Sequence, residues 1–202
     1  MRTIIDAYQV YTYAELSETA KDTAKKIYLE WQGDNAFIFT ENCECYLAER
    51  FPNSDLKVEY SLSYCQGDGL NIYGDISLTD IWNDIDKSVF TDKEQKFMEW
   101  ALKEYNCTVK LPANRHYCYC NSSQWDFTSD MHDDMEYNAI RNINEKALEK
   151  FEEAAKEHLE NVCSILEKDG YSFFYDVPED DELSEYFEMN EHEFYSDGRL
   201  YC

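Results

Sequence analysis

Residues 56–76 read LKVEYSLSYCQGDGLNIYGDI, and this stretch decides the fold. Apolar residues occupy every second position of its first half: Leu56, Val58, Tyr60, Leu62 and Tyr64. This period-two alternation is typical of a β-strand with one buried face. A turn is predicted next, at Gln66, Gly67, Asp68 and Gly69, because glycine adopts positive φ without strain. The apolar pattern then resumes, so the sequence predicts a hairpin over residues 56–76.

Helical patterns flank the hairpin on both sides. Apolar residues recur at helical spacing over residues 18–32, 37–50, 79–86, 92–105 and 135–167. Gly170 is expected to end the last and longest of these helices. Runs of β-branched and aromatic residues predict further strands at residues 3–13, 107–111 and 115–120. The sequence therefore predicts a single α+β domain over residues 1–202, in which an antiparallel sheet with a central hairpin packs against several helices.

The chain is strongly acidic, with 43 Asp and Glu against 18 Lys and Arg and a formal net charge of -25. Such charge without aromatic residues would indicate disorder, but 17 Tyr, 11 Phe and 4 Trp provide large apolar side chains to bury. The charge therefore belongs to a folded surface. Direct binding to nucleic acid is not expected, because phosphates would be repelled, whereas a basic partner would be attracted. The alternative is that the charge serves solubility alone.

The C-terminal stretch carries the densest negative charge. Residues 178–198 contain nine acids and no Lys or Arg, together with Leu183, Tyr186, Phe187, Met189 and Phe194. These apolar residues predict a packed acidic lobe at residues 178–202 rather than a loose tail. The candidate partner-binding residues in this lobe are Glu179, Asp180, Asp181, Glu182, Glu185, Glu188 and Glu191.

A second acidic cluster lies before the long helix and adds three candidate partner-binding residues: Asp130, Asp133 and Asp134. Carboxylates of this kind also hold divalent metals in nucleases, which leaves a catalytic alternative open. Its candidate ligands are Asp68, Asp75, Asp126, Asp130, Asp133 and Asp134. The cluster matches no calcium-loop pattern, and no serine or cysteine stands in a recognisable nucleophile motif. We therefore assign no catalytic residue and favour a stoichiometric inhibitor over an enzyme.

Cysteine and histidine offer one further candidate metal site. Its members are Cys43, Cys45, His116, Cys118 and Cys120. Zinc ribbons place two residues between paired thiolates, whereas one residue separates each pair here, so packing of small apolar thiols is the favoured interpretation. We predict no metal and no cofactor.

The expected location is the cytoplasm of a bacterial host. A charged residue, Asp6, follows the first apolar residues too early for a signal peptide, and no segment has the roughly 18 uncharged apolar residues of a membrane span. The 8 cysteines are accordingly expected to be reduced thiols, and no membrane association is expected.

Three short motifs are spread along the chain: ELS at residues 15–17, CQGDG at residues 65–69 and NEHEFYSDGR at residues 190–199. With them the chain resembles a family of small acidic phage and prophage proteins, which share an aromatic strand before Glu-Leu-Ser, a Ser-Gln-Gly-Asp-Gly turn and a C-terminal Asn-Glu-x-x-Phe-x-x-Asp-Gly-Arg stretch. Cys65 stands where these proteins have serine. The resemblance implies a mobile-element origin.

By analogy with other small acidic phage proteins, the resemblance suggests an antagonist of host defence, such as an anti-CRISPR or anti-restriction protein. The expected partner is a host defence nuclease, a CRISPR effector in the first place, whose basic guide or target site the acidic surface would occupy as a nucleic-acid mimic. Two alternatives stay open: the metal-dependent nuclease above, and an antitoxin-like protein that neutralises another basic partner.

Overall fold

The computed structural model describes residues 8–105, 107–114, 117–120, 122–128, 133 and 144–201. The chain forms two compact units. The first comprises Met1–Ala36 and Tyr171–Cys202, and the second comprises Phe37–Gly170. Both contain helices and strands, so the protein belongs to the mixed α+β class, as predicted.

An antiparallel three-stranded sheet forms in the second unit, with strand order β1-β2-β3. The strands are β1 (Asp55–Ser61), β2 (Gly69–Ser77) and β3 (Thr108–Leu111). Val58 pairs with Ile72, and both side chains are buried. This antiparallel pairing of β1 with β2 confirms the predicted hairpin. The period-two pattern fixes which face of the hairpin is buried. Its connection is longer than the predicted four-residue turn, since β1 ends at Ser61 and β2 begins at Gly69.

Six helices occur in the described part of the chain: α1 (Glu18–Asp34), α2 (Ala36–Arg50), α3 (Leu78–Asp84), α4 (Asp92–Tyr105), α5 (Glu145–Tyr175) and α6 (Asp180–Met189). The core of the second unit includes Phe51, which directly follows α2, Ile72 from β2 and Phe151 from α5, all with no exposed surface. None of these helices combines the length and apolar character that a bilayer crossing requires.

Helix α5 corrects the prediction for the long helix. Its predicted N-terminal part, residues 135–143, lies outside the described residues, and the helix continues through Gly170 to Tyr175. A Cβ atom at Gly170 would lie 2.4 Å from Leu62 Cδ1 and 2.7 Å from Phe39 Cζ. Gly170 therefore lies within α5, where the absence of a side chain lets Leu62 and Phe39 pack closely against the helix, and it does not end the helix.

The first unit has a core of aromatic and aliphatic side chains that comes from both ends of the chain. The buried residues are Tyr13, Leu16, Ala20, Ala24, Tyr28, Leu183, Phe187 and Phe194. Two short strands, β4 (Glu193–Phe194) and β5 (Leu200–Tyr201), pair antiparallel in this unit. The acidic C-terminal segment is thus folded onto an apolar core.

Two predicted strands are wrong over their described residues. From the predicted strand at residues 3–13, Tyr11 forms only an isolated bridge with Phe194. Tyr13–Glu15 is a 3₁₀ helix, because Thr12 donates its backbone N–H and its hydroxyl to the Glu15 carboxylate, an arrangement that caps a helical turn. Within the predicted strand at residues 115–120, residues 117–120 form no strand, and the Cys118 N–H donates to the Gly67 carbonyl oxygen instead.

Candidate partner-binding site

Helix α6 carries five of the ten candidate partner-binding residues. Asp180, Asp181 and Glu182 occupy its first turn, where negative charge interacts favourably with the helix dipole. Leu183 and Phe187, four residues apart, lie on the same face and are buried in the core of the first unit. This one-sided burial leaves the opposite face of α6 to solvent.

Aromatic packing holds α6 in place. The Phe187 ring lies with its centroid 5.3 Å from that of Tyr13 and 4.9 Å from that of Phe194. The Tyr186 ring lies 5.1 Å from that of Tyr28 at an interplanar angle of 89°. Edge-to-face and tilted pairs at these distances are favourable. The carboxylates on the outer face are therefore carried by a fixed helix.

Asp180 differs from its neighbours because it is fully engaged within the first unit. Its Oδ1 accepts hydrogen bonds from the Lys25 ammonium at 2.6 Å and the Tyr13 hydroxyl at 3.0 Å, and its Oδ2 accepts one from Lys21 Nζ at 2.9 Å. The hydrogen bonds from Lys25 and Lys21 hold the pKa of Asp180 far below its usual value. Burial and the nearby Asp180 raise the pKa of Tyr13. Asp180 thus serves the fold of this unit.

The other six candidate residues of the lobe are exposed: Glu179, Asp181, Glu182, Glu185, Glu188 and Glu191. None of them forms an ion pair with another described residue. Asp181 and Glu188 are seven residues apart in α6, which corresponds to about 10 Å along its axis. Four carboxylates lie within this distance, and a DNA duplex of that length carries about six charges. We call Asp181, Glu182, Glu185 and Glu188 the acidic face.

A cleft of about 590 Å³ in the first unit adjoins the acidic face through Glu188. Its lining residues are Thr12, Tyr13, Ala14, Ser184, Glu188, Glu191, His192 and Glu193. The His192 ring packs with its centroid 4.8 Å from that of Trp31, which fixes this wall. Three carboxylates around one cleft favour a cationic group. Glu193 is one of the nine acids of residues 178–198 but was not a candidate residue, because only the turn after α6 brings it to the same cleft as Glu188.

The second acidic cluster contributes one described candidate residue. Asp133 is exposed, whereas Asp130 and Asp134 lie outside the described residues. For the nuclease alternative, Asp75 and Asp126 are exposed, and Asp126 Oδ1 accepts a hydrogen bond from the Thr128 N–H at 3.3 Å. Within the described ranges, no group of three or more His, Cys, Asp or Glu side chains is arranged to hold a metal ion.

The Gln66–Gly69 motif is organised around Asp68. Its carboxylate accepts hydrogen bonds from the Ser61 hydroxyl at 2.7 Å and from the backbone N–H groups of Ser63 and Cys65 at 2.6 Å and 2.7 Å. These bonds, the one from Cys65 first, lower the pKa of Asp68. Because the carboxylate is used to order its own loop, Asp68 is a poor candidate for a metal ligand.

Both glycines of this motif provide room for aromatic residues. A Cβ atom at Gly67, which has a φ of 90°, would lie 2.0 Å from Tyr117 Cδ1. A Cβ atom at Gly69 would lie 2.7 Å from the Tyr119 Cα atom. The rings of Tyr117 and Tyr119 stack on each other with centroids 5.8 Å apart. The motif is therefore a packing element whose glycines the sequence pattern identified only as turn residues.

The thiols of the candidate zinc site have separate surroundings. Cys43 is buried on α2, where burial raises the pKa of its thiol to about 12, whereas Cys45 is exposed. Cys120 shares a hydrogen bond with Cys163 of α5, which lowers the pKa of Cys120. Cys118 is half-buried, and His116 lies outside the described residues. Cys163 was not predictable as a partner of Cys120, because it occupies an ordinary core position of a helix.

Comparison with protein-family models, with curated proteins and with solved structures gives no match for this chain.

Proposed function

We propose that this protein is a stoichiometric binding protein that occupies the basic nucleic-acid site of a host defence nuclease, with a CRISPR effector as the first candidate. It would act in the cytoplasm of a bacterial host, as an acidic mimic of nucleic acid. The observation that carries the proposal is the acidic face of α6, whose four carboxylates are exposed and have no ion-pair partner among the described residues. The resemblance to acidic phage proteins supports the choice of partner.

Helix stability does not explain the charge at the C-terminal end of the acidic face, at Glu185 and Glu188. Glu188 lies in the last turn of α6, and this turn contains no basic residue. Negative charge near a helix C-terminus opposes the helix dipole, and Glu185 lies one turn before Glu188, where like charges repel. A surface that keeps charge at a cost in stability is a candidate for recognition, because such charge accelerates association with a basic partner.

The cleft beside Glu188 gives the proposal a specific feature. A row of carboxylates attracts any basic surface, but a cleft with Glu188, Glu191 and Glu193 on its walls can enclose one Lys or Arg side chain. Exposed charges at an interface mainly change the association rate, whereas a buried, hydrogen-bonded charge pair mainly changes the dissociation rate. We therefore expect the acidic face to set the association rate and the cleft to slow dissociation.

The experiment is a charge reversal of the acidic face, with Asp181, Glu182, Glu185 and Glu188 each replaced by Lys. Asp180 is left unchanged, because its ion pairs with Lys21 and Lys25 serve the fold. The matched control reverses four exposed acids of the second unit: Glu41, Glu49, Glu104 and Glu149. Both variants change the net charge equally. Association with purified CRISPR effectors is followed by surface-based kinetics at about 0.1 M salt, where the Debye length is about 10 Å.

We expect the reversed acidic face to slow association at least about tenfold, and the control to reduce it much less. Equal association rates for both variants would show that only net charge matters, which would remove the acidic face from the proposal. Failure of the wild-type protein to bind any nuclease would remove the defence partner. A pulldown from host cells would then identify another basic partner, as expected for an antitoxin-like protein.

A further inference from the structure

The second unit contains a cavity of about 440 Å³ whose charge is unusual for this chain. Its lining residues are Thr79, Trp82, Asn83, Lys87, Glu99, Leu102 and Lys103. The volume lies within the range of about 300–1,000 Å³ that is typical of small-molecule sites. Two of its seven lining residues are lysines, although the protein has 43 Asp and Glu residues and only 18 Lys and Arg residues.

Neither lysine is neutralised by a described residue. Lys87 and Lys103 form no ion pair with any Asp or Glu in the described part of the chain. The Lys87 ammonium instead lies 5.2 Å from the centroid of the Trp82 ring, a cation–π arrangement that keeps it at the cavity wall. Glu99 also lines the cavity, so the ionised lining residues leave one net positive charge.

The remaining walls combine apolar surface with hydrogen-bonding groups. Trp82 and Leu102 are each 3% exposed and form the apolar part. The indole N–H of Trp82 is buried and has no acceptor among the described residues. Thr79 and Asn83 lie four residues apart on α3, so their hydroxyl and amide groups lie on the same side of the helix.

We propose that this cavity binds a small organic anion. Lys87 and Lys103 would hold its phosphate or carboxylate group, because lysine binds such groups as a mobile point charge with three donors. Trp82 and Leu102 would contact its apolar body, and Thr79 and Asn83 would donate or accept hydrogen bonds at its polar edge. This site differs from the acidic face in charge and in ligand class, and it does not depend on the proposed function.

Four probes separate the contributions of the anionic group and the apolar body. Isothermal titration calorimetry is carried out with AMP, benzoate, inorganic phosphate and adenosine. We expect saturable binding of AMP or benzoate, weaker binding of inorganic phosphate, and the weakest binding of adenosine, which lacks the anion. The stronger of AMP and benzoate identifies a phosphate or a carboxylate ligand. Adenosine binding as tightly as AMP, or no saturable binding of any probe below about 10 mM, would overturn the proposal.

Variants link the binding to the two lysines. Lys103→Gln alters an exposed side chain. We expect it to weaken binding of AMP or benzoate, whichever binds more tightly, about tenfold, because one hydrogen bond from a charged group is lost. Lys87→Gln together with Lys103→Gln is expected to abolish measurable binding. The matched control, Lys93→Gln with Lys96→Gln, removes two exposed lysines of α4 that do not line the cavity. Equal affinities for the double variant and the control would overturn the assignment, and thermal unfolding confirms that each variant is folded.

Discussion

Lys150 on α5 donates hydrogen bonds to both carboxylate oxygens of Glu94 on α4, at 2.9 Å and 2.8 Å. The same carboxylate accepts the backbone N–H and the hydroxyl of Thr91, which caps the start of α4. Glu94 is buried, and this combined set of donors lowers its pKa to about 2, with Lys150 as the main cause. One carboxylate therefore both begins a helix and joins it to the longest helix of the protein.

Glu94 predicts a specific dependence of stability on pH. Its pKa is about 2 in the folded protein and 4.5 ordinarily, so its stabilisation is complete above about pH 4.5 and is lost as the pH falls toward 2. Glu94→Gln keeps an oxygen acceptor but removes the charge, and we expect it to lower the Tm by several degrees at pH 7. The difference from wild type should shrink between pH 4.5 and 2, as measured by thermal unfolding. Glu99→Gln, an exposed change on the same helix, is the control. A constant Glu94→Gln difference down to pH 2 would contradict the assignment.

Two glycines in helices predict opposite effects of the same substitution. Alanine has a higher helix propensity than glycine, by about 1 kcal/mol. At Gly33 in α1, a Cβ atom would meet nothing within 4 Å, so Gly33→Ala should stabilise the protein by about 0.5–1 kcal/mol. At Gly170 the Cβ atom would overlap the buried Leu62 and Phe39 side chains, so Gly170→Ala should destabilise it by about 1–3 kcal/mol. Urea unfolding measures both, and stabilisation by Gly170→Ala would show that the helix is not packed there.

Gly170 also shows where local sequence signals stop being sufficient. The hairpin at residues 56–76 was predictable because side-chain alternation and turn residues act over a few positions. The end of α5 was not, because a glycine that ends a helix and a glycine that admits a neighbouring side chain look alike in the sequence. The difference lies in contact with Leu62, which is more than 100 residues away along the chain.

The candidate site likewise has features that local sequence signals predict and features that depend on distant contacts. Local charge density singled out carboxylates of the C-terminal lobe, among them Glu185 and Glu188, and both are exposed in the structure. It did not separate Asp180 from Asp181, since the lysines that bind Asp180 lie on α1, more than 150 residues earlier. The lysines of the proposed anion cavity were missed for a similar reason, because neither Lys87 nor Lys103 belongs to a charged run in the sequence.

Neighbouring acids of α6 therefore predict different mutational effects. Asp180→Asn removes the charge that Lys21, Lys25 and Tyr13 contact, and we expect it to lower the Tm by a few degrees at pH 7. Asp181→Asn alters an exposed carboxylate in the same helical turn and should change the Tm by less than about 1 °C. Differential scanning calorimetry measures both at equal ionic strength. Equal effects of the two substitutions would mean that the Lys21 and Lys25 contacts contribute nothing to stability.

The position of Glu188 predicts that stability and partner binding respond in opposite directions. In the last turn of α6 its charge opposes the helix dipole and lies near Glu185, so Glu188→Lys should stabilise the protein by about 0.3–1 kcal/mol. Asp181→Lys provides the matched control, because it removes a favourable charge from the first turn and should destabilise by a similar amount.

Both substitutions change the net charge equally, and both alter the acidic face. If this face binds a basic partner, each should slow association, whereas only Glu188→Lys also removes a carboxylate from the cleft and should speed dissociation. Chemical unfolding measures the effect on stability, and binding kinetics with the nuclease or pulldown partner measure the effect on association and dissociation, both on the same samples. A Glu188→Lys variant that is more stable and binds as tightly as wild type would exclude Glu188 from the interface, and the cleft with it.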